Sequence, residues 1–349
     1  MSSETQSNLG DSINPVQSDV WYDDGNVVLQ AQNTYFKAYR GVLAQISSVF
    51  KDMFSFPQPP SAEMELIDGC PVVHLSDRAE DVRYLLQAIF QREYVADGEK
   101  IPFAVLSAFL SLGGKYEISK LRVEAMKKLY REFPITLAGT DSVYRKWVAI
   151  SPGGNRSMFM ELAILARKER VFSVLPYLLY QCCRSYSVTS ILEGAEGKDG
   201  RKLLLSHQDQ LACLVGHRRL CEAQAKTTFM WAYDKDFISA TCASSDCHHA
   251  RQQFLLSSNL SPVPAIAGLS RWQDNPSFSE ELCESCAMKA VVQHNVGRAI
   301  FWQKLPVLLG LPSWTELKKE REALQRITGL LKTMGESQDK RVTEYARYG

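Results

Sequence analysis

The sequence predicts an α+β N-terminal domain followed by a mainly α-helical region with a Cys-rich module towards its end. Three observations carry this prediction. Up to residue 75, short β-rich runs alternate with polar turn residues. Beyond it, apolar residues recur at three- and four-residue spacing, the period of a helix buried along one face. From Ala240 to Pro276 that period is lost, and Ser, Pro, Asn and Cys dominate. At about 150 residues per domain, 349 residues leave room for two to three domains.

Composition narrows the function classes. Hydrophobic residues make up 45% and charged residues 23%, which excludes a wholly disordered or fibrous chain. Lys plus Arg number 40 against 39 Asp plus Glu. That balance offers no excess of cations to displace the counterions of nucleic acid, so a nucleic-acid partner is not expected. Residues 1–18 are polar and read as a disordered tail, with order beginning near Val20 and Trp21. Met1 to Asp19 lacks the apolar run of a signal peptide. The longest apolar stretches, such as Val171 to Cys183, fall short of the ~20 residues of a membrane span. A cytoplasmic or nuclear location is expected, where the nine cysteines stay reduced and form no disulfides.

Each element follows from local pattern. Asp24-Gly25-Asn26 and Asn33-Thr34 are turn signals bounding Val27 to Ala31 and Tyr35 to Tyr39, a β-hairpin. Gly41 to Ile46 is a short helix, and Ser47 or Ser48 caps the next, Val49 to Phe54. Pro57 to Pro60 breaks the pattern, and Cys70 to Leu75 is a third strand with Pro71 at its start. Ser76 is expected to cap a helix reaching Phe90, followed by helices over Pro102 to Tyr116 and Ser119 to Phe133. In the rest, Met158 to Arg170, Val171 to Cys183, a helix opened by Ser206, Cys286 to Lys304, and a last helix opened by the Ser313-Trp314-Thr315-Glu316 capping box are helical by period. On that last helix Glu316, Glu320 and Glu322 balance Lys318, Lys319 and Arg321, which reads as a solvated face.

Phe36 to Ala44, Ser47 to Phe54, Val72 to Leu75, the helix through Leu85-Leu86, and Ala108 to Tyr116 leading into Leu121 together resemble the BTB/POZ domain. Asp23 to Ala31 and Gly69 to Val73 resemble the BTB/POZ proteins abundant in mushroom-forming (basidiomycete) fungi. That similarity extends over the Cys-rich segment and Gly310 to Trp314. The resemblance implies protein–protein association without chemistry: a scaffold, with a homodimer formed through the BTB/POZ domain and a second binding surface presented by the C-terminal half. It also implies two alternatives, a substrate adaptor of a cullin-type ubiquitin ligase and a transcriptional regulator. The sequence departs from both. Asn26 and Tyr39 stand where many members carry Asp and His, and Ser61-Ala62-Glu63 and Glu63-Met64-Glu65 lack the hydrophobic first position usual in cullin binders. Candidate partner-binding residues are Trp21, Val42, Leu43, Ile46 and Phe50, together with strand addition near Val20 to Tyr22. For Leu43 and Phe50 a place in the core is the favoured alternative.

The Cys-rich segment carries the one constellation with metal-ligand spacing. Cys242-x₄-Cys247 precedes Cys283-x₂-Cys286, two pairs that suit the four tetrahedral thiolates of one structural Zn²⁺. Asp246-Cys247 suits a turn, and Cys286 sits at a helix start whose dipole favours thiolate. His248 or His249 is a substitute ligand for one cysteine, and four packed free thiols are the alternative. Cys182, Cys183, Cys213 and Cys221 read as small buried hydrophobes. No nucleophile elbow, zinc-protease helix, phosphate loop or dinucleotide fingerprint is present, so no enzymatic activity and no further cofactor are expected. The expected organisation is a tail (1–18), the BTB/POZ domain (19–133), a helical region (134–238), the zinc-stapled module (239–312), and a C-terminal helix and tail (313–349).

Overall fold

The computed structural model describes residues 15–56, 65–96, 98–154, 157–237, 242, 244, 246–256, 265–278 and 282–345. The expected tail up to residue 14 and the linker at 57–64 lie outside them. The chain divides into two compact units. One is Met1–Lys128 with Val148–Ser151, and the other is Leu129–Trp147 with Pro152–Gly349.

In the first unit, short apolar runs build a sheet from β1 (Val16–Trp21), β2 (Val27–Ala31), β3 (Thr34–Ala38), β4 (Leu66–Ile67) and β5 (Cys70–Leu75), in the order β1-β3-β2-β5-β4. The hairpin is antiparallel, with Val27 opposite Ala38 and Ala31 opposite Thr34, and β5 lies parallel to β2. The three expected strands are thus its centre. β1 begins at Val16, inside the segment expected to be tail, because Ser18 and Val20 alternate inwards along a parallel edge beside β3. Helices α1 (Arg40–Ile46), α2 (Ser48–Ser55), α3 (Ala79–Leu86), α4 (Phe103–Lys115) and α5 (Ser119–Glu132) follow, with β6 (Ile101–Pro102) paired to β7 (Ile150–Ser151). The Ser47 hydroxyl accepts from the Phe50 N–H at the start of α2 and donates to the Tyr116 carbonyl at 2.6 Å, so the cap also ties α2 to the end of α4. At α3 the cap position is Arg78; Ser76 instead accepts from Lys115 Nζ.

The second unit holds α6 (Leu137–Val143), α7 (Met158–Lys168), α8 (Leu175–Ser185), α9 (Val188–Glu193), a two-residue ribbon of β8 (Ala195–Glu196) and β9 (Lys202–Leu203), α10 (His207–Lys226), α11 (Met230–Tyr233), α12 (Asp246–Phe254), α13 (Glu284–Leu308) and α14 (Trp314–Tyr345). The three segments expected after residue 133 therefore share one unit. Ser206 caps α10 as expected, and Asp209 in its first turn is buried against Arg167, whose Nε donates at 2.9 Å. α10 and α13 run antiparallel. Gly297 meets the Thr227 backbone just past the end of α10, and Gly216 within α10 meets Leu309 past the end of α13. Among the described residues no helix is long and apolar enough to cross a membrane.

Two expectations fail here for identifiable reasons. α12 forms where the period is lost, because its polar outer face hides the short buried stripe Cys247, Ala250, Arg251 and Phe254. On α14, Glu320 and Arg321 are not solvated. The Glu320 carboxylate accepts from the Phe172 and Ser173 N–H groups and from the Tyr130 hydroxyl. Arg321 lies 4.2 Å over the Tyr130 ring and donates to the Tyr130 and Phe133 carbonyls, with burial pushing its pKa down to about 10. Trp314 stacks on Trp302 at 4.8 Å and donates to its carbonyl, so the first turns of α14 dock on their own unit.

His294 on α13 is wholly buried. Its Nδ1 accepts from Trp231 Nε1–H at 3.3 Å and its Nε2–H donates to the Ser270 carbonyl at 2.8 Å. Both bonds fit one neutral tautomer. Burial, with Arg298 adding to it, pushes the imidazole pKa down to about 4. Because the unfolded chain then binds the extra proton, stability from this group is complete above pH ~6.5 and falls as pH drops to about 4, by about 3 kcal/mol in all. Urea unfolding at stepped pH should show this fall, and His294→Gln should lack that component. Substituting Gly297 by Ala would place a methyl 2.2 Å from the Thr227 carbonyl oxygen, so G297A should lose at least ~2 kcal/mol of unfolding free energy. G329A, with open space around the added methyl, should stay neutral or gain up to ~1 kcal/mol in the same titration.

Candidate interaction surfaces and metal centre

The candidate partner-binding residues separate by burial. Phe50 is fully buried, stacked on Tyr116 at 4.5 Å and packed against Phe54, and Leu43 is buried beneath α1. Both are core residues, because the α1–α2 corner turns its broad apolar stripe inwards. Val42 is exposed on α1, and Ile46 is half-buried at its end. Trp21 is half-buried at the end of the edge strand β1, with the Lys37 ammonium 5.7 Å from its ring centre. Lys37 itself is buried along its stem and donates to the Asp23 carbonyl at 3.0 Å.

The four candidate metal ligands converge. All four Sγ atoms of Cys242, Cys247, Cys283 and Cys286 lie within 4.8 Å of one another, and those of Cys242 and Cys283 are 3.7 Å apart. Tetrahedral Zn–S bonds of ~2.3 Å require S–S separations of about 3.8 Å. Cys247 stands on the first turn of α12, not on the turn expected from its polar neighbours, while Cys283 and Cys286 are the cap and first turn of α13. The helix start shapes the sulfurs: the Cys283 N–H donates to Cys247 Sγ at 3.2 Å. The Cys286 N–H bonded to the Cys283 sulfur pulls that thiol down to about 6, whereas burial pushes Cys247 up. His248 and His249 are exposed on α12, and His249 shares its Nε2 with Gln253, so neither belongs to the cluster.

Sequence reasoning missed what stands beside the sulfurs. Arg251, one turn beyond Cys247, is buried, donates to the Ala232 and Asp234 carbonyls, and lies 5.4 Å from the Phe237 ring. Burial lowers its pKa, and the nearby Asp234, Cys286 and Cys247 act against that. A lone Arg in a polar stretch carries no sequence signal for such a place. The cluster borders a packed aromatic core of Phe229, Trp231, Phe237, Phe254 and Phe278. Four sulfur ligands around one point leave no open coordination position, so the arrangement suits a structural ion and no catalytic one. The only cations from Cys242 to Cys286 are Arg251, buried, and Arg271, paired with Asp274 at 2.8 Å. That segment therefore offers no basic face to nucleic acid.

A family model described as the BTB/POZ domain matches residues 22–132. No curated protein and no solved structure matches the chain significantly.

Proposed function

We propose, from the premise that residues 22–132 form a BTB/POZ domain, a protein–protein interaction module, that the chain is a non-enzymatic scaffold. It self-associates through this unit, and its Cys-rich end is held by one structural Zn²⁺. The observation that carries the reading is the family match over a unit whose sheet ends in the edge strand β1 and whose α1 exposes Val42. Trp21, Val42 and Ile46 are the contact residues. A second copy buries apolar surface at α1 or adds a strand at β1. The four converging sulfurs support the metal, since their spacing matches one tetrahedral ion. The reading keeps the chain in a reducing compartment, cytoplasm or nucleus, as its cysteine usage leads one to expect. The resemblance to BTB/POZ proteins of mushroom-forming fungi extends the same reading to the Cys-rich half. The Pro57 to Ser61 linker that bears on cullin binding lies outside the described residues, and no observation raises the adaptor reading above the scaffold.

Two outcomes follow. Sedimentation at tens of micromolar should find a dimer, and Val42→Glu with Ile46→Glu should shift it to monomer without lowering the melting temperature. A wild-type monomer, or a dimer indifferent to both changes, contradicts the assigned surface. Elemental analysis of chain purified under reducing conditions should find one zinc per chain, falling several-fold in Cys286→Ser. Chelation, or acidification that protonates the thiolates, should release it and lower the melting temperature. A chain purified without zinc, or one whose melting temperature is unchanged by chelation, would contradict the site.

A further inference from the structure

The second unit contains a cavity that neither the sulfur cluster nor the BTB/POZ unit uses. Its volume is about 110 Å³, and its walls are the rings of Phe133, Tyr144, Trp147, Phe159 and Tyr177. Phe133 and Trp147 stand edge to face at 86°, and Trp147 and Phe159 lie 5.7 Å apart, so the walls are held by one another. The rings come from three separate parts of the chain: the end of α5 with the segment 144–147 after α6, the start of α7, and α8. A separate small crevice shares Thr140, Tyr144 and Tyr177 with the cavity and is lined also by Asp141, Arg184 and Arg298.

The charges around it are one-sided. Asp141 is taken by Arg298 at 2.7 Å and Asp274 by Arg271 at 2.8 Å, with Arg271 stacked 4.2 Å over Tyr144. Glu132, buried in the wall, has a partner of its own. Arg145 and Lys146, which line the cavity, and Arg184, which lines the crevice, are exposed. Among the described residues no carboxylate lies within ion-pair distance of any of these three, although Arg145 is near enough to Asp274 to help hold its carboxyl down. Arg145 lies 5.3 Å from the Tyr144 ring. The chain as a whole is balanced to +1, so this excess is local.

We infer that this aromatic cleft is the docking site for an acidic peptide segment of a partner protein. One branched aliphatic side chain enters the cavity, and Asp or Glu carboxylates beside it meet Arg145, Lys146 and Arg184. Size selects the anchor: a cavity of about 150 Å³ holds benzene, so the smaller one here suits Leu, Ile or Val and excludes a nucleic-acid base with its sugar. Charge selects the neighbours, because unpaired cations at a rim steer acidic partners and repel basic ones. A buried aliphatic anchor ringed by polar contacts is the usual arrangement of a small interface hot spot. This places the second surface of the scaffold, and it rests on the scaffold reading only in taking the partner to be a protein.

The test is selection of a displayed random 12-residue peptide library on the full chain, followed by titration of the enriched peptides. The expected peptides share one Leu, Ile or Val with Asp or Glu within three positions. Trp147→Ala and, separately, Arg145→Glu with Lys146→Glu should each weaken binding at least ten-fold, and raising salt from 50 to 500 mM should weaken it as well. The charge reversal leaves the aromatic walls in place, so an unchanged melting temperature in that variant separates lost docking from lost folding. No enrichment, a basic or acid-free consensus, or peptides that bind both variants as they bind wild type would overturn the inference. So would a single-stranded RNA 10-mer that binds with the same dependence on these residues while the peptides do not. Peptides lost on Val42→Glu but kept on Trp147→Ala overturn the cleft and leave the BTB/POZ reading standing. A monomeric wild type that still selects acidic peptides does the reverse.

Discussion

Four sulfurs brought to within 4.8 Å of one another tie the segment before α12, α12 itself and the start of α13 at one point. Two arrive from the segment before and on α12, two from the first turn of α13. α12 has nine residues, well below the 12–15 at which an isolated helix holds itself in water. Something tertiary must hold it. Fixing Cys247 against Cys283 and Cys286 also fixes Arg251 and Phe254, one and two turns further on. Phe254 then packs on Trp231 and Phe229, and Arg251 lies against Phe237. Arg251, one turn from Cys247, would offset part of the negative charge that four thiolates around a metal would carry against an apolar core.

The consequences run along α13. Its first turn carries two sulfurs, its third the neutral His294 bonded to Trp231 and Ser270, and the next Gly297, where only a hydrogen fits beside the Thr227 carbonyl. Arg298 then pairs with Asp141, and Trp302 receives Trp314 at the start of α14. Apolar residues are spread around this helix and not gathered on one face, because neighbours contact it on several sides in turn. Each contact is therefore specific to a side chain and not to a stripe. Such a helix has little freedom to shift register.

Much of the first unit was legible because its signals are local. The apolar run Val27 to Ala31 between its turn signals, the Ser47 cap, and the four-residue spacing in α5 all act within a few residues. β1 was hidden because its inward pair, Ser18 and Val20, is short and half polar. The metal candidates were legible as spacing, since Cys pairs are rare enough to stand out. Their surroundings were not. Arg251, Glu320 and Arg321 look like surface charge in one dimension and become buried only through partners 14 to 191 residues away. The aromatic cleft is the extreme case: Phe133, Trp147, Phe159 and Tyr177 carry no shared signal until α5, α7 and α8 bring them together.

The claim that one closed, all-sulfur metal centre organises the second unit meets its most direct test in zinc K-edge X-ray absorption on the purified full chain. The account predicts four sulfur scatterers at about 2.3 Å and no nitrogen or oxygen in the first shell. A nitrogen or oxygen ligand would reopen the site to His248, His249 or water, and a chain without zinc would remove the tie on which α12 and the aromatic core depend.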